Sequence, residues 1–262
     1  MKRIDAKKTV KDLVEFVKIS FQKEGYTKAL VGLSGGVDSA TSCALVVAAL
    51  GKNNVYPVLM PYGSLNNQGT KDAKIVINWL HLPKAHIHLV DMKPMVDAAA
   101  SSIDQAMDEG RKGNIMVRMR MIVLFDLSKK MRALVVGTEN RTEHLLGYYT
   151  RFGDEASDVE PLRHLYKTQV YELASLLKLP NRIITKVPTA GLWVGQTDEG
   201  EFGFTYKEVD EVLLLHVDKH LSKKEILAKG YDPKMTERIW WWILKGSFKD
   251  RTPLILESLR LV

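Results

Sequence analysis

Apolar residues recur at helical spacing from Val10 to Glu24, where Val10, Leu13, Val14, Val17 and Phe21 form a stripe beside Lys and Glu. This pattern predicts a packed amphipathic helix. A short apolar run, Ala29 to Leu33, follows, then a turn at Ser34-Gly35-Gly36 and a small-residue helix from Asp38 to Leu50. The strand, loop and helix sequence recurs with a strand over Val55 to Met60 and a helix from about Thr70 to Leu80. His86 to Val90 reads as a third strand, trailed by helices around Pro94 to Glu109 and Ile115 to Met131, and Leu134 to Gly137 as a fourth. Alternation of this kind predicts an α/β fold, a doubly wound parallel sheet with helices on both faces and right-handed crossovers.

Beyond Gly147 the chain turns polar up to Glu160, then forms a helix with Val170, Leu173, Ala174 and Leu177 on one side. The Gly- and Pro-marked stretch from Thr185 to Gly203 is too long for a plain connection in a compact domain, which points to a lid or binding loop. More helices follow. The helical part from about 205 to 262 is expected to pack on the α/β core, so that residues 1–262 form a single domain. There is no internal repeat, low-complexity tract or linker, and 262 residues at 45% apolar content suffice for one large core.

Charge and cysteine content narrow the class. A net charge of +7 suits anionic partners, but the cations are spread along the chain, which argues against nucleic acid. The single cysteine, Cys43, excludes an internal disulfide and a cysteine-rich zinc site, and its Ala and Val neighbours place it in the core. No run approaches the roughly 20 apolar residues of a spanning helix, and no apolar stretch follows the N-terminus as in a signal peptide. A cytoplasmic protein with no membrane partner is expected. His86 and His88, two apart on the expected strand, share a face and read as a hydrogen-bonded sheet edge before a metal site. Trp240, Trp241 and Trp242 cannot all face one core, which suggests that one or two meet another subunit.

The strongest local signal is Gly32-Leu33-Ser34-Gly35-Gly36-Val37-Asp38-Ser39, because it follows an apolar strand and opens a helix. Glycines let backbone N–H groups approach phosphate oxygens, and the helix N-terminus adds about half a positive charge. A bare Gly-Gly reads more readily as an ordinary strand-to-helix turn. Two hydroxyls and an acid at the helix start favour phosphates, and Asp38 beside phosphates implies an intervening magnesium ion. No lysine follows the glycines, so this is not the G-x-x-x-x-G-K-[ST] loop.

The segment resembles the S-G-G-x-D-S pyrophosphate loop of ATP pyrophosphatases, which implies a Rossmann-like sheet of about five strands, the fifth of which the apolar pattern does not locate. The resemblance implies that Gly32, Leu33, Ser34, Gly35, Gly36, Val37, Asp38 and Ser39 contact ATP and that the products are AMP and pyrophosphate. It narrows at Gly137-Thr138-Glu139-Asn140-Arg141-Thr142-Glu143 and at Leu146 to Asp154, which are similar to the signature of NAD synthetases. In that family the positions of Thr138, Lys167 and Thr189 touch ATP, and those of Asp38 and Glu143 bind Mg2+. Asp38 and Lys167 are then the implied catalytic residues. Arg118, in a G-N-x-x-x-R-x-R-M segment, and Arg151, Asp158, Phe248 and Lys249 are the implied deamido-NAD contacts. Here Arg151 stands where lysine is frequent, and Phe248-Lys249 where some members have His-Lys. Read without the family, Glu143 is an ordinary helix-start acid, and Arg118 and Arg120 could lie on a solvated helix; two positions apart, however, they do not share one face.

Membership implies ATP-dependent amidation of deamido-NAD with ammonia, giving NAD, AMP and pyrophosphate through an NAD-adenylate, the last step of NAD biosynthesis, by a homodimer. The chain starts almost directly at the synthetase region and its cysteine is expected to be buried, so free ammonia is the expected nitrogen source. Two rivals share the first loop: a tRNA-modifying enzyme, whose thiolating members commonly need more cysteines, and a nucleotide sensor that binds ATP without turnover. A sensor gives no reason for two magnesium-binding acids.

Overall fold

The computed structural model describes residues 4–251 and 253. Residues 254–262 of the expected C-terminal helical part lie outside the described residues. Helix α1 (Ala6–Glu24) is capped by the Asp5 carboxylate, which accepts from Lys8 N, and ends at Gly25 in the left-handed region. It buries Leu13, Val17 and Phe21. There follow β1 (Lys28–Gly32), α2 (Val37–Leu50), β2 (Val55–Leu59), α3 (Asn67–Trp79), β3 (His88–Leu89), α4 (Lys93–Ile103), α5 (Glu109–Met131) and β4 (Ala133–Val136). The remaining helices are α6 (Arg141–Leu146), α7 (Lys167–Leu176), α8 (Asn181–Ile184), α9 (Asp198–Phe202), α10 (Tyr206–Leu213), α11 (Lys223–Ala228) and α12 (Pro233–Gly246).

Among the described residues the strands form one parallel sheet in the order β3-β2-β1-β4, with Ala29 opposite Val55, Lys28 opposite Ala133 and Val58 opposite His88. Alternate residues of β1 point to opposite faces. Ala29 and Val31 join α1, α2 and α3 in one apolar layer, whereas Leu30 meets Val123, Leu124 and Leu127 of α5 on the other. Cys43 is fully buried in the first layer.

A fifth extended segment runs beside β4 as a single parallel bridge between Val136 and Val159. It stays short for two reasons. The Asp158 carboxylate takes the Val135 amide at 2.8 Å, in place of a main-chain acceptor, and Pro161 has no N–H to extend the ladder. The third strand is also shorter than the pattern predicts. Pro83 starts a tight turn over Lys84–His86, closed by His86 N donating to Pro83 O at 2.9 Å. His86 therefore stacks on Tyr56 with ring centres 4.2 Å apart and does not share a strand face with His88.

The C-terminal helices bury a second core, in which Val209, Val212 and Ile239 pack with Leu146, Tyr166 and Phe202. Trp240 and Trp242 join it, while Trp241 is 46% exposed beneath the Arg238 and Lys245 cations. The helices approach until backbones touch. A Cβ on Gly246 would lie 2.6 Å from the Gly147 Cα, and one on Gly147 would lie 2.3 Å from the Gly246 Cα. This contact seats α12 against the turn that follows α6.

Candidate active site

A cavity of about 500 Å³ opens at the carboxyl ends of β1, β2 and β4, the edge at which open parallel α/β sheets take ligands. The β1–α2 loop forms its floor. Gly35 holds φ +77°, and a Cβ there would meet the Gly69 carbonyl oxygen at 2.5 Å, so only glycine fits. Ser34 and Ser39 hydroxyls lie 3.0 Å apart across the loop. Gly36 precedes α2 without any side-chain cap, and Gly36, Val37, Asp38 and Ser39 line the cavity, so the start of the helix suits an anion.

Charged groups converge beside this loop. Lys167 opens α7 and is 2% exposed; its ammonium donates to Asp38 Oδ2 at 2.6 Å and Glu143 Oε1 at 3.2 Å. Asn140 Nδ2 donates to Asp38 Oδ1 at 3.0 Å. Asn140 also caps α6 by accepting from Glu143 N at 3.0 Å, and this capping box fixes the height of Glu143. A third acid, Asp198 at the start of α9, accepts from the hydroxyls of Tyr206 at 2.9 Å and Tyr148 at 3.2 Å. Burial raises the Glu143 carboxyl above its ordinary range; the Lys167 ammonium opposes this, and the nearby charges of Asp38 and Asp198 reinforce it. Burial pulls Lys167 down, but Asp38 and Glu143 outweigh it and hold the ammonium above its ordinary range. From behind, the fully buried Asp210 of α10 accepts from Thr142 Oγ1 at 2.5 Å and Thr168 N at 2.8 Å, which ties the starts of α6 and α7 together and so sets Glu143 against Lys167.

Three carboxyl groups crowd one ammonium here, and the donors of the cluster are hard oxygens. This chemistry fits Mg2+, with Asp38 and Glu143 the groups that would hold it.

The expected site residues separate into neighbouring groups. Gly32, Leu33, Ser34, Gly36, Val37, Asp38, Ser39, Thr138, Glu143 and Thr189 line the cavity. Gly35 supports the loop from behind and Lys167 lies beneath the acids. The Arg151 guanidinium stacks over Phe152 at 5.1 Å and over Phe248 at 5.4 Å, and its carbonyl accepts from Arg118 Nε at 3.2 Å. These residues form an exposed cationic and aromatic patch abutting the cavity wall at Tyr149 and Gly153. Lys249 donates to Gly147 O at 2.6 Å and Tyr149 O at 2.5 Å and pins that turn, while Asp158 stands at the sheet edge.

Several lining or supporting residues were not expected. Arg120, not Arg118, reaches the cavity; its guanidinium donates to Met60 O and Asn66 Oδ1, each at 3.2 Å, and burial lowers it to about 10. The two-residue spacing of the arginines was the available signal. Asn140 had one too, in the N-x-x-E capping pattern, whereas Asp198 and Lys186 are brought in by packing alone. The 185–203 stretch does line the cavity, through Lys186 to Leu192.

Fold and site together define a nucleotide-binding α/β protein with a glycine loop lacking the common NTPase lysine. A family profile described as NAD synthase matches residues 9–253, and the chain belongs to that family. It is 42% identical over 257 residues to the NH(3)-dependent NAD(+) synthetase of Fusobacterium nucleatum, covering 98% of each chain. Among solved structures it is similar to an NMN synthetase from Francisella tularensis, with TM-score 0.85, 32% identity and coverage of 97% of this chain and 100% of that one. It is likewise similar to an NH3-dependent NAD synthetase from Campylobacter jejuni, with TM-score 0.80, 30% identity and the same coverage.

Proposed function

We propose that this protein amidates deamido-NAD with ammonia at the expense of ATP, giving NAD, AMP and pyrophosphate. The observation that carries this reading is the meeting of Asp38, Glu143 and Lys167 at the uncapped start of α2, with the Arg151 and Phe248 patch next to it. A carboxylate is a poor electrophile and must be activated. Its oxygen attacks the α-phosphorus of ATP, the bond to the β-phosphate oxygen breaks, and an acyl-adenylate forms as pyrophosphate leaves. The loop amides and Ser34 and Ser39 hydroxyls hold the departing phosphates, and Lys167 offsets charge at the reacting phosphorus. Magnesium, when bound at Asp38 and Glu143, neutralises phosphate charge. Ammonia then attacks the activated carbonyl and expels AMP.

Thr138 and Thr189 suit the nucleotide, and Arg118 and Arg151 a dinucleotide phosphate or carboxylate. Ammonia is supported by the names of the relatives and by Cys43, whose thiol burial pushes up to about 12, far from a reactive nucleophile. A homodimer placing the Phe248 patch at its interface, one domain over residues 1–262 and a cytoplasmic location complete the reading. No helix among the described residues is long and apolar enough to cross a membrane.

The test supplies ATP, Mg2+, ammonium and deamido-NAD and follows NAD, AMP and pyrophosphate in equal amounts. Absence of amide, or ADP as product, overturns the proposal. Nicotinate mononucleotide belongs in a parallel reaction, because the Francisella relative is named for the mononucleotide product. Preference for that acceptor would reassign the substrate while keeping the chemistry.

A further inference from the structure

The start of the 185–203 segment is tied to the back of the phosphate-type loop by one buried acid. Asp72 on α3 is 1% exposed. Its Oδ1 accepts from Arg182 Nε at 2.7 Å and Gln68 Nε2 at 2.8 Å, and its Oδ2 lies 2.9 Å from Lys186 Nζ. Lys186 Nζ also donates to the Gly35 carbonyl at 3.2 Å. Helix α3 stands directly behind the loop, since a Cβ on Gly69 would come within 2.8 Å of Ser34 O.

The two cations on Asp72 are not equivalent. Lys186 lines the cavity beside Ser34 and Gly36, whereas Arg182 lies outside the cavity wall with a 57% exposed side chain. One carboxylate balances one of the two charges, so the cluster presents a net positive charge to the loop. A neutral carbonyl at 3.2 Å is a weak partner for an ammonium compared with a phosphate oxygen. The uncapped amides of α2 point the same way.

We infer that Lys186 is a further phosphate-contacting residue, which takes the β- and γ-phosphates of ATP and then the departing pyrophosphate, with Asp72 as the positioning residue that holds it. This rests on the ATP chemistry proposed above. When the substrate oxygen bonds to the α-phosphorus, the electron pair of the breaking bond moves to the pyrophosphate oxygen. The Lys186 ammonium offsets that added charge and keeps its proton.

The test compares Lys186→Gln with Arg182→Gln, which loses a partner of the same Asp72. Calorimetry on the full chain measures binding of magnesium pyrophosphate, and kinetics give KM for ATP and for deamido-NAD. Loss of a charge-assisted contact should weaken pyrophosphate binding in Lys186→Gln by about tenfold or more and raise KM for ATP, with KM for deamido-NAD within about twofold of wild type. Arg182→Gln should bind pyrophosphate as wild type does. Equal weakening in both variants, or unchanged binding in Lys186→Gln, overturns the inference. A measurement on wild type guards against misfolded variants: pyrophosphate should protect Lys186 from acetylation, read by mass spectrometry, and equal labelling with and without it counts against the contact. Pyrophosphate binding needs no acceptor, so Lys186-dependent binding without NAD formation would overturn the amidation reading alone.

Discussion

Lys167 Nζ lies 2.6 Å from Asp38 Oδ2, although 129 residues separate them, and the same ammonium reaches Glu143. The start of α7 thus delivers one positive charge to acids presented by α2 and α6.

Lys167→Met should therefore leave two carboxylates facing each other without compensation. Breaking a buried ion pair in this way costs about 3–5 kcal/mol. The variant should melt below wild type and form NAD at least about a hundredfold more slowly, on the scale of a lost electrostatic contact to the transition state. Mg2+ should raise its melting temperature more than that of wild type. Equal metal-induced shifts in thermal denaturation would contradict the charge balance described for the cluster.

The Arg151 guanidinium rests on Phe248 and Phe152 outside the cavity. Arg151→Ala should raise KM for deamido-NAD by about tenfold, the worth of one charge-assisted hydrogen bond, while KM for ATP stays near wild type. Steady-state kinetics with each substrate varied in turn decide this. An effect confined to ATP would move the dinucleotide elsewhere.

Gly246 closes α12, where alanine would ordinarily stabilise a helix by about 1 kcal/mol. Here the sign should reverse. The added Cβ would meet the Gly147 backbone, which cannot swing away as a side chain could, so Gly246→Ala should destabilise by about 1–3 kcal/mol. Denaturant unfolding would show this as a lower midpoint, and a raised midpoint would mean that the two backbones are not in contact.

Glu160 supplies a pH prediction. Burial, reinforced by Glu139 and opposed by the Ser157 hydroxyl and Arg163, raises its carboxyl to about 8. Between the unfolded value of about 4.3 and that value, the folded chain holds a proton that the unfolded chain has released, so this group makes stability fall as pH rises. Glu160→Gln removes the effect. Wild type should lose melting temperature relative to the variant between about pH 5 and 8, and parallel curves across that range would refute the burial effect.

Much of this architecture was legible in local sequence, because strand and helix periodicity and the backbone demands of a turn are properties of neighbouring residues. Ala29 to Leu33 and the Ser34-Gly35-Gly36 turn identified the first strand and its loop, and both Gly35 and Asp38 stand where the loop needs them. Positions whose role depends on distant partners were not legible. Pro83 and the Asp158 carboxylate shortened the edge strands, and packing of α5 turned Arg120 inward and left Arg118 outside. The sequence by itself determined the α/β alternation, the glycine loop and the residue types of the site. Only the tertiary structure decided that Asp198 and Lys186 reach that cavity and that Lys167 pairs with both Asp38 and Glu143, since charges far apart in the chain find one another only after apolar packing has fixed their helices.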